Sequence, residues 1–311
     1  MEASDTLKQL LNVFWLRPET ALWREIDIRT MSAFEMRSPS LDLGCGDGLF
    51  SFIRAGGELD VSFDAFRSVS RMDKFFQNVD VFDSYDENQS SAVIKPPKYQ
   101  IDVGFDCKTN LLKKAGQIGL YGTLKQGDAN KPLPFPEASF NSIFSNIIYW
   151  LDSPQSVIAE ISRVLKPGGT ACLMLPNITF PQFSFYKQLY VNGGDDRWRF
   201  LEMLDRGRFS DNIRQAKPLD EWQAMFGQAG IRIERHHYHL SKLTIQAWDI
   251  GLRPLFPILL EMSRELPPEK RIVIKAKWTE IMRTFIEPLL EIDRTLPGNE
   301  DPAFHCFELR K

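Results

Sequence analysis

Three observations predict a doubly wound α/β fold. The stretch from Leu41 to Phe50 runs from an apolar strand through glycines at 44, 46 and 48 into a helical segment. Strand-like and helical segments then alternate from Tyr99 to Pro176. Two further strand-like runs, Ile231 to Leu240 and Ala303 to Arg310, stand in a C-terminal part that otherwise reads as helical. Strands alternating with helices are the pattern of a parallel sheet covered on both faces. A chain of 311 residues, 43% hydrophobic and 25% charged, can bury one large core with appended elements.

Two helices precede the sheet. Leu7, Leu10, Leu11, Phe14 and Trp15 recur at i, i+3, i+4, i+7 and i+8, and Pro18-Glu19 opens a second helix through Leu22, Ile26 and Ala33. Residues 1–37 are therefore a helical pair that covers a sheet edge, or one whose Trp15, Arg17 and Trp23 wall a substrate mouth. The first strand ends on Gly44-Cys45-Gly46-Asp47-Gly48, where a ligand can lie against bare backbone. A dinucleotide fingerprint would place its third glycine at position 49, which is Leu49, so a nicotinamide cofactor is disfavoured.

The next strand and helix are Tyr99 to Asp106 and Thr109 to Ala115. Gly127-Asp128-Ala129 and Leu133 to Phe140 lead to a fourth strand, Asn141 to Asn146. Ser153 is an N-cap with Pro154 at the first helical position, and Val164-Leu165-Lys166-Pro167-Gly168-Gly169 turns the chain into a fifth strand, Thr170 to Pro176. These motifs resemble, in order, those of the class I S-adenosylmethionine-dependent methyltransferases, over roughly positions 40 to 176. The resemblance implies a seven-stranded Rossmann-like sheet and S-adenosylmethionine as cofactor. It implies cofactor contacts from Asp42, Gly44, Cys45, Gly46, Gly48, Asp106, Asp128, Ala129 and Asn146. Asp106 takes the ribose-binding role, for which an acceptor-only, bidentate carboxylate is suited, and Asp128 the place beside the adenine amino group.

The ribose acid of such loops normally falls about 20 residues past the first glycine, where Asp64 stands. Asp106 is preferred because a helix follows it and an ordinary distance separates it from Asp128. Residues 58–98 then become an insertion holding Asp60, Asp64, Asp73, Asp80, Asp83, Asp86 and Glu87, read as a solvated acidic excursion or a substrate-lining flap.

Leu219 to Ala229 reads as a helix, and the strand that follows holds three of the four histidines. Parity puts His237 and His239 on one face. A strand running parallel to the others would bring these imidazoles to the ligand edge, where one, His237 first, is a candidate general base; exposed or structurally bonded rings are the plainer reading. Tyr149 and Trp150, where many relatives of this type carry a Glu-His pair, suggest an aromatic pocket floor, and Tyr149 joins His237 and His239 as a catalytic candidate. His305 reads as a satisfied core histidine. Residues 241–299, with Trp248, Asp249, Arg253 and helices over Ile258–Leu266 and Glu269–Leu296, form a helical lid or a dimer surface. The run Leu252, Leu255, Phe256, Ile258, Leu259 and Leu260 packs in the core or touches lipid. The core is residues 38–240 and 300–311.

A net charge of −3 and a pI of about 5.9 offer no basic footprint for nucleic acid. Cys45, Cys107, Cys172 and Cys306 lack C-x-x-C spacing and read as small buried hydrophobes, with no metal site implied. No signal peptide or spanning segment is evident, so a cytoplasmic enzyme is expected. The expected activity is methylation of a small acceptor (a metabolite, glycan or lipid-linked precursor), at oxygen in preference to nitrogen or carbon, possible as a homodimer. The alternatives are a non-methylating enzyme that uses the same cofactor and a non-catalytic cofactor-binding module of the same fold.

Overall fold

The computed structural model describes residues 3–67, 69, 83–86, 92–205, 215–295 and 302–311. Its strands are β1 (Ser40–Leu43), β2 (Glu58–Leu59), β3 (Val93–Lys95), β4 (Ile101–Asp106), β5 (Tyr121–Gln126), β6 (Phe140–Ser145), β7 (Leu165–Pro176), β8 (Arg232–His239) and β9 (Phe304–Arg310). Seven of them form one sheet in the order β5-β4-β1-β6-β7-β9-β8, and β2 and β3 pair separately. The neighbours from β5 to β7 run parallel, while β9 is antiparallel to both β7 and β8. Hence β8 runs in the direction of the parallel strands, and its carboxyl end reaches the same sheet edge as theirs.

β1 is buried along its whole length, as a central parallel strand covered on both faces should be. The helices are α1 (Ala3–Val13), α2 (Pro18–Thr30), α3 (Leu49–Arg54), α4 (Thr109–Ala115), α5 (Pro154–Val164), α6 (Glu202–Asp205), α7 (Leu219–Gln228), α8 (Lys242–Ile250), α9 (Phe256–Arg264) and α10 (Pro268–Thr295). α5 starts as its sequence requires: Ser153 Oγ accepts from the Ser156 N–H and Pro154 occupies the first turn. Leu7, Leu10, Leu11, Ala21, Leu22 and Ile26 of the first two helices join one large core cluster with Phe52, Ile101 and Phe304. A second cluster of Val157, Ile158, Ile161, Trp222 and Phe226 covers the other side of Leu41, Ile143 and Leu173.

The insertion is partly a built structure. Asp64 is 6% exposed; its Oδ1 accepts from Trp15 Nε1 (3.0 Å) and the Phe66 N–H (3.0 Å), and its Oδ2 from Arg271 Nε (2.6 Å). Asp64 is therefore no part of a solvated excursion. Lys275, buried and lowered by that burial to about 8, donates to the carbonyls of Val61 and Phe63, and Trp278 Nε1 donates to Trp15 O (2.6 Å). These bonds clamp α10 onto α1 and the start of the insertion. Asp73, Asp80 and Glu87 lie outside the described residues.

Of the segment expected as a lid, α10 packs on α1, α2 and residues 61–64, while α8 reaches the ligand edge through Trp248. In the apolar run before α10, Phe256 and Leu260 are buried, whereas Leu255 and Ile258 are exposed. Cys172 and Cys306 are buried, but Cys107 is exposed and Cys45 half-buried, because both of the latter follow a strand end instead of lying within one.

Candidate active site

The carboxyl ends of β1, β4 and β5 meet at one edge. Gly44, Gly46 and Gly48 all have positive φ (83°, 57° and 75°). At Gly44 a Cβ would come within 2.3 Å of Ile147, so backbone angle and packing both demand glycine. Gly46 differs: the nearest atom to its hypothetical Cβ is Leu111 Cδ1 at 4.0 Å, which leaves open space beside the backbone where a ligand could lie. The loop is tied to the next strand by Gly44 N and Cys45 N, which both donate to Phe105 O (2.8 and 3.1 Å).

Asp106 ends β4 beside this loop. Its Oδ2 accepts from the Gly46 N–H (2.9 Å) and its Oδ1 from the Lys108 N–H (2.8 Å), which fixes the carboxylate while each oxygen keeps a lone pair. Asp128, two residues past β5, is half-buried, and its Oδ1 accepts from the Asn130 N–H (2.9 Å) next to buried Ala129. Asn146, half-buried, follows the end of β6. Asp42 lies beneath the loop: it is 2% exposed, and its Oδ2 accepts from Ser51 Oγ (2.6 Å) and Tyr121 Oη (2.7 Å). Burial pushes its carboxyl up, with those two hydrogen bonds opposing. The geometry therefore makes Asp42 a brace for the loop. Burial, and then the carboxylates of Asp42, Asp106 and Asp47, raise the Cys45 thiol, so it is no nucleophile. An open glycine backbone flanked by two fixed carboxylates at adjacent strand ends fits a nucleoside with ribose hydroxyls and an exocyclic amine.

Beside this edge lies a cavity of about 140 Å³ lined by Arg17, Thr20, Trp23, Arg24, Tyr149, Trp150, Phe180, Trp248 and Phe304. Phe304 meets Trp23, Tyr149 and Phe180 edge-on at 5.1, 5.6 and 5.1 Å between ring centres. Burial raises the Tyr149 hydroxyl, so at neutral pH it is a proton donor and not a base. Arg24 Nη1 donates to Asp27 Oδ2 (2.9 Å), and Asp27 is almost wholly buried. Tyr149, Trp150, Arg17, Trp23 and Trp248 are thus brought together as the sequence suggests. Trp15 is not among them, because it is buried with Phe66 and Phe256 against Asp64.

The histidines occupy different ground. His237 is exposed and, with His236 and His239, lines a separate cavity of about 470 Å³ against Arg29 of α2 and Arg294 of α10. His239 is buried; its Nε2 donates to Asp27 Oδ1 (3.1 Å), and its ring meets Phe304 edge-on. His305 Nε2 donates to Lys217 O (3.3 Å), so its Nδ1 accepts from His236 Nε2 (3.0 Å). Burial lowers His236 to about 4 and His305 to about 3. His305 is the satisfied core histidine that the sequence suggests. The structure does not bring His237 to the aromatic cavity, because β8 is the edge strand and β9 lies between it and β7. Sequence reading missed Phe180, Phe304 and Arg24. The first two adjoin strand ends at the ligand edge, a signal that chain direction supplies, whereas Arg24 has no local signature.

Residues 97–173 match a family described as a methyltransferase domain. The matched segment runs from the residues before β4 into β7. Over 111 residues, 34% of this chain and 33% of the relative, it is 35% identical to 2-methyl-6-phytyl-1,4-hydroquinone methyltransferase 1 of Oryza sativa subsp. japonica. Over 29% of this chain and 39% of the relative, it is 36% identical to a ubiquinone/menaquinone biosynthesis C-methyltransferase of Desulfotalea psychrophila. The matched part spans 33% and 39% of these relatives' lengths. An S-adenosylmethionine-dependent methyltransferase of Mesorhizobium loti is similar in structure at a TM-score of 0.44 and 14% identity, covering 92% of this chain and 96% of that one. Among the described residues no group of side chains is arranged to hold a metal ion, and no helix is long and apolar enough to cross a membrane.

Proposed function

We propose that the protein transfers the methyl group of S-adenosylmethionine to a hydroxylated aromatic ring, at a ring carbon. The observation that carries this reading is the aromatic cavity around Tyr149, Trp248 and Phe304, past the ends of β6 and β7 on the same sheet edge that carries Gly46, Asp106 and Asp128. Flat aromatic walls favour a planar acceptor through edge-on and offset contacts. The relatives named above, a hydroquinone methyltransferase and a quinone-pathway C-methyltransferase, support the same class of acceptor.

The bound cofactor supplies an electrophilic methyl on a sulfonium, and the rest falls to the protein. Gly44 to Gly48 give the cofactor a backbone surface, Asp106 accepts from the ribose hydroxyls, Asp128 accepts from the adenine amino group, and Cys45, Ala129 and Asn146 complete the wall. Trp23, Tyr149, Trp248 and Phe304 hold the ring close to the methyl and exclude water, so that proximity and orientation lower the barrier. Arg24, fixed by Asp27, sets a cation at the cavity that favours the ionised phenol, and ionisation loads electron density onto the ring carbons. After methyl transfer the ring proton moves to the phenolic oxygen, restoring aromaticity, so the net proton released is the phenol's. Methylation at the hydroxyl oxygen remains the second reading. Both routes release one proton from the acceptor, so the choice of carbon rests on the quinone-pathway relatives and the position of the transferred label decides it.

The test is incubation with S-adenosylmethionine carrying a ¹³C methyl and a set of substituted hydroquinones. S-adenosylhomocysteine release with the label on a ring carbon is expected. Label on oxygen selects the second reading, and cofactor binding without turnover on any phenolic acceptor contradicts both.

A further inference from the structure

The outer face of α10 carries an apolar stripe whose spacing is the same from either end. Ile274, Ile281, Phe285 and Ile292 are 41%, 53%, 65% and 41% exposed, although the helix is packed on the protein through buried Lys275, Ile286 and Leu290. At about 100° per residue the four side chains fall within a narrow sector, a seam of roughly 27 Å along the helix. Their spacing is symmetric about position 283: Ile281 and Phe285 stand two residues to either side, and Ile274 and Ile292 nine. Charge is distributed in the complementary sense. Lys270 and Lys277 are exposed in the first half beside Glu269 and Glu280, and Glu291 in the second beside Arg294. With Arg271, Lys275, Glu287 and Asp293, the helix is net positive before position 283 and net negative after it.

We propose that α10 pairs antiparallel with α10 of a second copy of this chain, about a two-fold axis level with position 283. This arrangement sets Ile274 against Ile292 of the other copy and Ile281 against its Phe285, so each apolar side chain meets another. It also sets Lys277 opposite position 289 of the other copy, between Glu287 and Glu291, where opposite charges attract. A parallel pair would align like charge with like. An anionic lipid surface fits less well, because the acidic second half of the helix would be repelled from it. The inference does not depend on the acceptor assigned above, since none of the stripe residues lines the aromatic cavity.

Sedimentation equilibrium of the full chain tests the pairing. The expected result is a species of twice 35.9 kDa. Phe285→Glu is expected to weaken the dimer at least ~100-fold, as burying an unpaired charge at the seam centre should. The side chain is exposed in one copy, so the circular dichroism spectrum should stay that of wild type. Geometry is tested separately in a Cys107→Ser background. A chain carrying both Ile274→Cys and Ile292→Cys should cross-link between copies on oxidation, and neither single substitution should. A monomer at ~100 µM, or a dimer unaffected by Phe285→Glu, overturns the proposal. So does a lone Ile274→Cys that cross-links to its own copy, or a monomer whose binding to phosphatidylglycerol vesicles is lost with Phe285→Glu.

Discussion

The two sides of the sheet hold similar chemistry to different ends. At β1, β4 and β5 the carboxylates of Asp106 and Asp128 stand at the ends of parallel strands, held by backbone N–H groups, with acceptor capacity left over. At β8 and β9 most of the ionisable groups are bonded to partners on these strands or on α2: His236 with His305, Arg235 with Glu308, and His239 with Asp27 of α2. A histidine-rich strand looks more like catalytic equipment than a lone aspartate does. What separates the two is position: residues just past the ends of parallel strands face a ligand, while most of those along an edge strand are spent on structure.

Replacing Asp64 should sharpen the contrast most. Because it pairs with Arg271 and accepts from Trp15, Asp64→Ala should cost about 3–5 kcal/mol of unfolding free energy, the usual effect of breaking a buried pair. Cofactor affinity in the folded fraction should be unchanged. Urea denaturation and calorimetry check both halves, and a stable variant with weakened cofactor binding would move the ribose site to Asp64.

A smaller effect is expected at the acceptor cavity. Trp248→Ala removes one aromatic wall and should lower acceptor kcat/KM by about 2 kcal/mol, roughly 30-fold, while the cofactor Kd stays the same. Steady-state kinetics varied in each substrate separates the two effects.

On the histidine side the expected signature is acid sensitivity. His236 and His305 are held neutral in the fold at about 4 and 3, below an unfolded value near 6.5. Their contribution is complete above pH ~6.5 and is lost as the pH falls toward those folded values, because the unfolded chain takes up protons first. His305→Gln should flatten the fall in stability between pH 7 and pH 5. An unaltered slope by denaturant titration would show that other groups set it.

The smallest change is predicted for His237→Ala. With the ring exposed in the other cavity, turnover should stay within about threefold of wild type across pH 6 to 9; a loss of 10²–10⁴-fold would make it the base after all.

Much of this was legible in the sequence because it is local. The strand, glycine loop and helix around Leu41 to Phe50, the Ser153-Pro154 start of α5, and Asp106 at a strand end are written in consecutive residues. The preference for Asp106 over Asp64 also rested on local spacing, and it agrees with the buried, bonded state of Asp64. Partners distant in sequence were not legible: Asp64 with Arg271, His239 with Asp27, and Arg24 at the same cavity as Trp248 are separated by 207, 212 and more than 200 residues. The direction of β8 was readable, but its place at the sheet edge, which carries His237 away from the aromatic cavity, depends on β9 arriving between it and β7.

The most direct test is calorimetric titration of S-adenosylmethionine and S-adenosylhomocysteine into wild type and Asp106→Ala. Removing a charged acceptor fixed at the end of β4 should cost about 1.5–3 kcal/mol, more than tenfold in affinity for both ligands, with no change in thermal stability of comparable size. Equal affinities in the two proteins would contradict the account, because the ends of β1, β4 and β5 would then not be where the cofactor binds.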